Sequence, residues 1–432
     1  MGTHRLARWW REPTARRWLL FATLAVVFLS VNVYRLSTAV IAEPLMAAFG
    51  TTGAQLGTLH AAFFYVYALM QIPTGILVDR VGPRRTAAAG ALVMNVGAIW
   101  FALADSYAGA FGARLLIGLG GSVIFVSMLR FCASWFRSEE FATMSGLCFA
   151  VGGLGGILAT TPFALAVEAA GWRETIVALG LVGLVVSALT YLLVRDSPER
   201  AGLRPIEGVP EQSRLSLSEV RTFTARVLAD RSTWVVSVLL FCTGGVNLTL
   251  FGLWGIPYVV QTYDTSVTVA SVVTLLGGVG SVLGPPSIGW LSDRLGRRTE
   301  LIVAGCLLFT LALGLIAVTG NPPLPVVGLV FFVNGALLGT FVLTYPMVKE
   351  LHASRASGIS TGSVNGASFL GAALLPTVMG QALDAYWTGE VVGGVRVYTA
   401  TGYRLAFGIA ALCGLIAVGC ALWLHWDGDE SS

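Results

Sequence analysis

Charge is scarce in this chain. Asp, Glu, Lys and Arg make up 12% of its 432 residues, and lysine occurs once, at Lys349. A soluble domain carries about twice that share, so the scarcity excludes one. Cysteine and histidine are sparse too, with six and four residues. Cys132, Cys148, Cys242, Cys306, Cys413 and Cys420 all lie within apolar runs, and no two form a Cys-x-x-Cys pair. That excludes a disulfide framework and a zinc site, and leaves the cysteines as packing residues. The scattered histidines do not supply the clustered groups that an integral-membrane enzyme would need, and no metal or cofactor is expected. Acidic residues are missing from the middle third of every apolar run; Glu43 and Glu168 stand at one end of theirs and Glu350 at the other. The runs do not alternate apolar with polar residues, which excludes a membrane β-barrel.

What is abundant is apolar length. The chain is 55% hydrophobic, with 52 glycines, and its mean hydropathy is +0.77. A bilayer-spanning helix takes about 20 apolar residues. Twelve runs of that size occur, at 19–43, 54–77, 86–105, 109–136, 141–167, 174–194, 233–259, 267–291, 299–319, 324–350, 355–384 and 403–425. Their Gly and Ala content suits closely packed membrane helices. Residues 1–17 hold five arginines, but the run that follows is too long for a cleaved signal.

Orientation follows from the basic residues. With the N-terminus inside, 21 of the 27 Lys and Arg fall on the inner side. Arg114, Arg173, Arg396 and Arg404 fall outside, and Arg35 and Arg130 lie within runs. This bias places both termini in the cytoplasm of a multi-pass protein of the cell (inner) membrane. The net charge of +4 then reports topology, not binding to nucleic acid.

The longest polar stretch, 195–233, separates two sets of six runs. Its Pro- and Gly-containing first part reads as loop. From Ser216 to Asp230, Leu217, Val220, Phe223, Val227 and Leu228 recur at helical spacing among Arg221, Arg226 and Arg231. That pattern predicts a short amphipathic helix on the inner membrane surface.

The two sets echo each other. "GILVDRVGPRR" begins at Gly75 and "GWLSDRLGRRT" at Gly289. Asn32 matches Asn247, Gly120 matches Gly335 and Pro162 matches Pro376 at nearly the same offset. The constant offset indicates a duplication, with residues 1–200 and 233–432 as equivalent halves and 201–232 as the linker. Parallel repeats of this kind, related by an axis along the membrane normal, are one transporter architecture.

On these residues the chain resembles the major facilitator superfamily over essentially its whole length. Gly75, Asp79, Arg80, Gly82, Arg84 and Arg85 resemble the family's Gly-x-x-x-Asp-Arg-x-Gly-Arg-Arg signature between helices 2 and 3, with Pro83 departing at a usually basic position. Gly289, Asp293, Arg294, Gly296, Arg297 and Arg298 match it fully between helices 8 and 9. "RLLIGLGGS", with Arg114, Gly118 and Gly120, is similar to the helix 4 signature. The resemblance implies an all-α integral membrane fold: twelve transmembrane helices in two pseudo-symmetric six-helix bundles. It implies alternating access, with no covalent chemistry. It also implies that Asp79 and Asp293 latch the outward-facing state, accepting from arginines at a helix end. The bland alternative is that both loops only anchor the topology.

The same resemblance places a substrate site near the midplane. A charge within a span costs ~2.5–3.5 kcal/mol or more, so such residues are functional candidates. Arg35 lies well inside helix 1, with Asn32 and Thr38 on its face. An arginine there can fork onto a carboxylate or phosphate, or it can snorkel. The Tyr34–Arg35 pair is similar to anion-transporting branches of the family. Arg130 lies seven residues before Arg137, close enough to the inner surface to snorkel, and its repeat partner is Tyr345. Neutral stripes complete the candidates: His60, Phe64, Tyr67 and Gln71; Thr243, Asn247, Trp254 and Tyr258; Thr361, Asn365 and Ser368. Each stripe must face protein or water, and helix–helix hydrogen bonding would serve as well as substrate contact. His60 reads as a membrane-interface residue. Glu43, two turns beyond Arg35, is the one carboxylate placed to serve proton coupling.

The expected function is a monomeric secondary carrier of a small organic anion, with a coupling ion as a further partner. The alternatives are an exporter of neutral or amphipathic compounds, a carrier of amino acids or short peptides, and a transporter-like membrane sensor.

Overall fold

The computed structural model describes residues 12–209, 217–352 and 357–430. Arg5, Arg8 and Arg11 of the basic N-terminus, and Ser216, lie outside the described residues. Among the described residues, ten helices are long and apolar enough to cross a membrane, and two bent pairs, each taken as one span, make twelve. In chain order, span 1 is Pro13–Ala39, span 2 Gly53–Leu69 with Pro73–Val81, span 3 Pro83–Leu103 and span 4 Tyr107–Trp135. Span 5 is Thr143–Leu158 with Thr161–Ala170, and span 6 is Trp172–Leu193. Span 7 is Arg231–Tyr263, span 8 Val267–Leu295 and span 9 Arg298–Thr319. Span 10 is Leu324–Val348, span 11 Gly358–Ala385 and span 12 Ala400–Trp426.

Four spans start from a polar side-chain cap. Thr52 and Gln55 form a reciprocal capping box at the start of span 2. Ser106, Asp230 and Ser266 cap spans 4, 7 and 8. Several expected continuous helices are broken. Span 1 tightens into a 3-10 turn at Ser37–Ala39, so Glu43 belongs to a separate short helix, Ala42–Phe49. Span 2 bends by 61° before Pro73 and span 5 by 40° before Pro162, where proline removes a backbone donor. Span 7 widens into a π-helical turn at Leu250–Trp254.

The packing repeats between halves. Span 3 packs on 6, 2 on 4 and 1 on 5, while 9 packs on 12, 8 on 10 and 7 on 11. Spans 2 and 11, and 5 and 8, join the two halves. Glycine makes these approaches possible. A Cβ on Gly57 would fall 2.3 Å from the carbonyl oxygen of Pro376, and one on Gly380 would fall 2.3 Å from that of Gly53. The amphipathic segment is the helix Leu217–Ala229, with Val227 fully buried and Leu228 exposed.

One element was absent from the sequence-based expectation. Strands β1 (Trp387–Val392) and β2 (Val395–Tyr398) pair antiparallel between spans 11 and 12. This hairpin marks one end of the bundle, and the termini and both charged loops mark the other.

Candidate functional site

Arg35 is the next-to-last residue of the regular α-helical part of span 1 and is half-buried. Its Nη2 donates to Asn32 Oδ1, one turn back on the same face. Asn32 is fully buried and donates from Nδ2 to Phe28 O at 2.9 Å. Span 5 approaches here on glycine: a Cβ on Gly155 would sit 2.7 Å from Asn32 Cβ. Arg35 Nε is buried without a hydrogen-bond partner. No carboxylate pairs with Arg35 among the described residues. Tyr67 of span 2 lies close enough to interact electrostatically with it.

From Tyr67 a polar chain crosses between the halves. Gln71 Nε2 donates to Tyr67 O at 3.3 Å, and Gln71 Oε1 accepts from Asn365 Nδ2 of span 11 at 3.3 Å. Asn365 Oδ1 accepts from Tyr345 OH of span 10 at 2.8 Å. Phe369 of span 11 stands 4.4 Å from the Tyr67 ring. Arg35, Asn32, Tyr67, Gln71, Asn365 and Tyr345 thus form one neighbourhood that both halves contribute to.

Other sequence candidates are engaged elsewhere. Tyr34 is buried and donates to Asn95 Oδ1 at 3.0 Å. Asn247 Nδ2 donates to Asn334 O at 3.2 Å, Trp254 Nε1 to Pro376 O at 3.0 Å, and Tyr258 OH to Gly320 O at 3.0 Å. Backbone carbonyls therefore take the polar donors of the span 7 stripe, which is the helix-to-helix alternative. Arg130 Nε pairs with Asp79 Oδ1 at 3.2 Å, which ties it to the charged loop. Arg114 is buried, donating Nη1 to Tyr34 O at 2.8 Å and Nη2 to His60 O at 3.3 Å. It clamps spans 1, 2 and 4 together. His60 is fully buried rather than interfacial, because its ring lies against Gly252 in the π-helical turn of span 7. Glu43 interacts with Gln261 of span 7; burial raises its carboxyl above the ordinary range, and the Gln261 hydrogen bond acts the other way.

The two charged loops lie at the termini end. Gly82 has φ +93°, and a Cβ there would fall 2.7 Å from the Asp196 carboxylate. Asp196 Oδ1 accepts from Arg84 N at 2.9 Å, and Arg84 Nε donates to Tyr191 O at 2.7 Å. Arg80 and Arg85 are exposed, and Gly75 has open space at its Cβ position. In the second copy Gly289 and Gly296 have open space, Asp293 is exposed, and Arg294 lies 5.3 Å from the Trp290 ring. Arg297 pairs with Glu300 at 3.3 Å and Arg298 with Glu350 at 3.1 Å.

The halves are fastened at the hairpin end. Asp384 of span 11 accepts from Gly53 N and Ala54 N of span 2, both at 2.8 Å. Arg396 and Tyr398 of the hairpin approach the same carboxylate at 3.4 and 3.3 Å. Thr58 meets Thr377 at 3.1 Å, and Thr268 donates to Glu168 at 2.9 Å. Among the described residues, these hydrogen bonds tie the halves together at the hairpin end. Sequence reasoning missed Asp384, whose partners lie about 330 residues away.

Comparison with known proteins agrees with this geometry. The family model described as Major Facilitator Superfamily matches residues 20–376 and 237–432. The D-galactonate transporter of Escherichia coli O6:H1 is 25% identical, over 97% of each chain. The probable sulfoacetate transporter SauU of Cupriavidus necator is 25% identical, over 67% of this chain and 68% of that protein. Among solved structures, a bacterial homologue of the human lysosomal transporter Spinster, inward-facing and unoccupied, superimposes with a TM-score of 0.77. It is 18% identical, with 94% of this chain and 96% of that chain covered.

Proposed function

The chain belongs to the major facilitator superfamily and is a multi-pass membrane transporter working by alternating access, not an enzyme; from that premise we propose that its substrate is a small organic anion held at Arg35. The observation that carries this reading is the state of Arg35. It is a half-buried guanidinium inside a span, oriented by Asn32, with a buried unpartnered Nε. Around it stand neutral groups from both halves, as a site gated by relative movement requires. The named substrates of the galactonate and sulfoacetate relatives are organic anions and support the same reading.

Further assignments follow from the sequence. Residues 1–200 and 233–432 form the two moving halves, and 201–232 links them. The basic bias puts the termini end in the cytoplasm; with the halves tied at the hairpin end, we read this conformation as inward-facing. We assign Asp79 and Asp293, with the arginines around them, to the latch of the outward-facing state. In the inward-facing state Asp79 is held by Arg130 instead. The carrier acts as a monomer. Glu43 is the carboxylate placed to serve a coupling proton, and the pH dependence of transport by Glu43→Gln tests that role.

The site is tested by ligand binding to purified variants that pass a folding check. Removing a desolvated charged hydrogen-bond partner costs about 2–5 kcal/mol. Arg35→Ala is therefore expected to weaken binding by roughly thirty-fold to several-thousand-fold. Arg35→Lys loses the planar fork and falls between. Wild-type affinity in Arg35→Ala would remove the anion reading and return attention to Asn247, Trp254 and Tyr258.

A further inference from the structure

The termini end of the first half gathers arginines around a cavity of about 460 Å³. Val81, Arg84, Arg85, Arg195, Asp196 and Arg200 line it, so four guanidinium groups share one carboxylate. That carboxylate is already engaged: Asp196 accepts from Arg84 N at 2.9 Å and pairs with Arg200 at 2.6 Å. Arg84 donates Nε to Tyr191 O, and Arg195 donates Nη1 to the carbonyls of Leu192 and Val194. The Arg85 side chain is exposed and has no ion pair or hydrogen bond among the described residues. Arg16, at the start of span 1, lies close enough to Arg195 to be repelled by it. Topology alone asks for basic residues at this end, and does not ask them to converge on one cavity. Like charges brought together from span 1, span 3 and the stretch after span 6 are relieved by an anion among them.

The apolar surface next to the cavity indicates which anion. On span 3, Arg85 heads an exposed row at helical spacing, Ala89, Leu92 and Val96. Span 6 packs beside span 3 and carries a second exposed row, Val185, Leu189 and Leu192, which ends just before Arg195. The Tyr191 ring, exposed and 4.6 Å from Arg84, stands at the same level. A free phosphate would use the cavity and neither row. We propose that this cavity binds the headgroup of one anionic phospholipid, held by Arg85, Arg195 and Arg200, with its acyl chains along the exposed rows of spans 3 and 6. The lipid supplies the negative charge that Asp196 alone does not. It also joins the start of span 3 to the end of span 6 beside the first charged loop. The site is separate from Arg35 and does not depend on the substrate reading.

The experiment is native mass spectrometry of the purified full-length protein in detergent. The probes are dioleoyl phosphatidylglycerol, dioleoyl phosphatidylcholine and glycerol 3-phosphate. An arginine beside an anionic headgroup is worth about five-fold in affinity. The first phosphatidylglycerol is therefore expected to bind at least about ten-fold tighter than phosphatidylcholine. Arg85→Gln should weaken that first binding about five-fold, and Arg85→Gln with Arg195→Gln about twenty-fold. Arg85 has no partner to lose, so the single variant carries the test even where the double variant fails a melting check. Phosphatidylcholine binding as tightly as phosphatidylglycerol, or unchanged phosphatidylglycerol binding in Arg85→Gln, overturns the site. An equal loss in Arg221→Gln with Arg226→Gln, on the amphipathic helix, would make the preference a property of any basic surface and overturns it too. Glycerol 3-phosphate is expected not to compete at millimolar concentration. Competition at micromolar concentration would make the occupant a free phosphate ester and overturns the lipid assignment.

Discussion

The two copies of the charged loop are nearly the same in sequence and quite different in surroundings. In the first copy, the carboxylate of Asp196 fills the space beside Gly82 and caps the start of span 3 through Arg84 N. Asp79 reaches Arg130 of span 4, and Arg84 lies 4.6 Å from the Tyr191 ring of span 6. In the second copy, Gly296 faces open space and Asp293 is exposed. Arg297 pairs with Glu300 in the first turn of the helix it precedes, and Arg298 reaches Glu350 just beyond span 10. A motif therefore specifies a turn and a charge pattern, and what the charges hold depends on the helices that pass nearby. The first loop is built into its half. The second is held by surface pairs and is freer to change partners.

Substitutions can break or sharpen this contrast. The largest effect is expected at the paired glycines. Gly82→Ala meets both a disfavoured φ and the Asp196 carboxylate, a loss of about 3 kcal/mol from strain and a displaced cap together. Gly296→Ala meets only a left-handed backbone at φ +65°, a loss of about 1 kcal/mol. Thermal unfolding of the purified variants should show the first melting several degrees below the second. Equal melting points would mean that the Asp196 contact contributes nothing.

Next comes the cap alone. Asp196→Ala leaves the start of span 3 without its side-chain acceptor, and about 1 kcal/mol is expected to go. Restoring it with Asn should recover most of the loss, as read by the same melting curves. A smaller effect is expected for the acidic pair. Asp79→Asn loses a partly exposed ion pair, so state populations should shift at most about five-fold. In this conformation Asp293→Asn has no ion-pair partner to lose among the described residues. Labelling rates of single cysteines placed at the two ends report the populations. A larger shift in Asp293→Asn would assign the dominant latch to the second copy. The smallest effect belongs to Arg297→Ala, which removes an exposed local pair worth about 0.3 kcal/mol. That difference should vanish in high salt.

The helices were legible in the sequence because each span is a long apolar run, and in a bilayer nothing but a helix can satisfy such a run. The duplication was legible because Asp79 and Asp293 recur at a fixed offset. The bends of spans 2 and 5 sit just before Pro73 and Pro162, where proline disfavours a helical residue ahead of it. The hairpin also had a signal, since Gly393 and Gly394 separate two short alternating stretches around a tight turn. Of the contacts around the candidate site, one was legible in the sequence. Arg35 and Asn32 share a helical face, so spacing alone joined them. The link from Gln71 to Asn365, and the pairing of Arg130 with Asp79, depend on how distant spans lie against each other. Span 7 shows the same limit: a polar stripe reads the same whether its donors meet a ligand or the carbonyls of a neighbouring helix.

The Asp384 clasp also has a kinetic meaning. It holds span 2 by its first backbone donors, so opening the hairpin end must strip two N–H groups of a carboxylate acceptor before water can replace it. Hydrogen bonds to a charged group contribute about 1.5–3 kcal/mol each. If the transition state for opening has lost both and gained nothing, the step slows by roughly a hundred-fold or more. A single aspartate at the end of span 11 would then act as a timer, setting how long the carrier dwells with its hairpin end shut on every turnover.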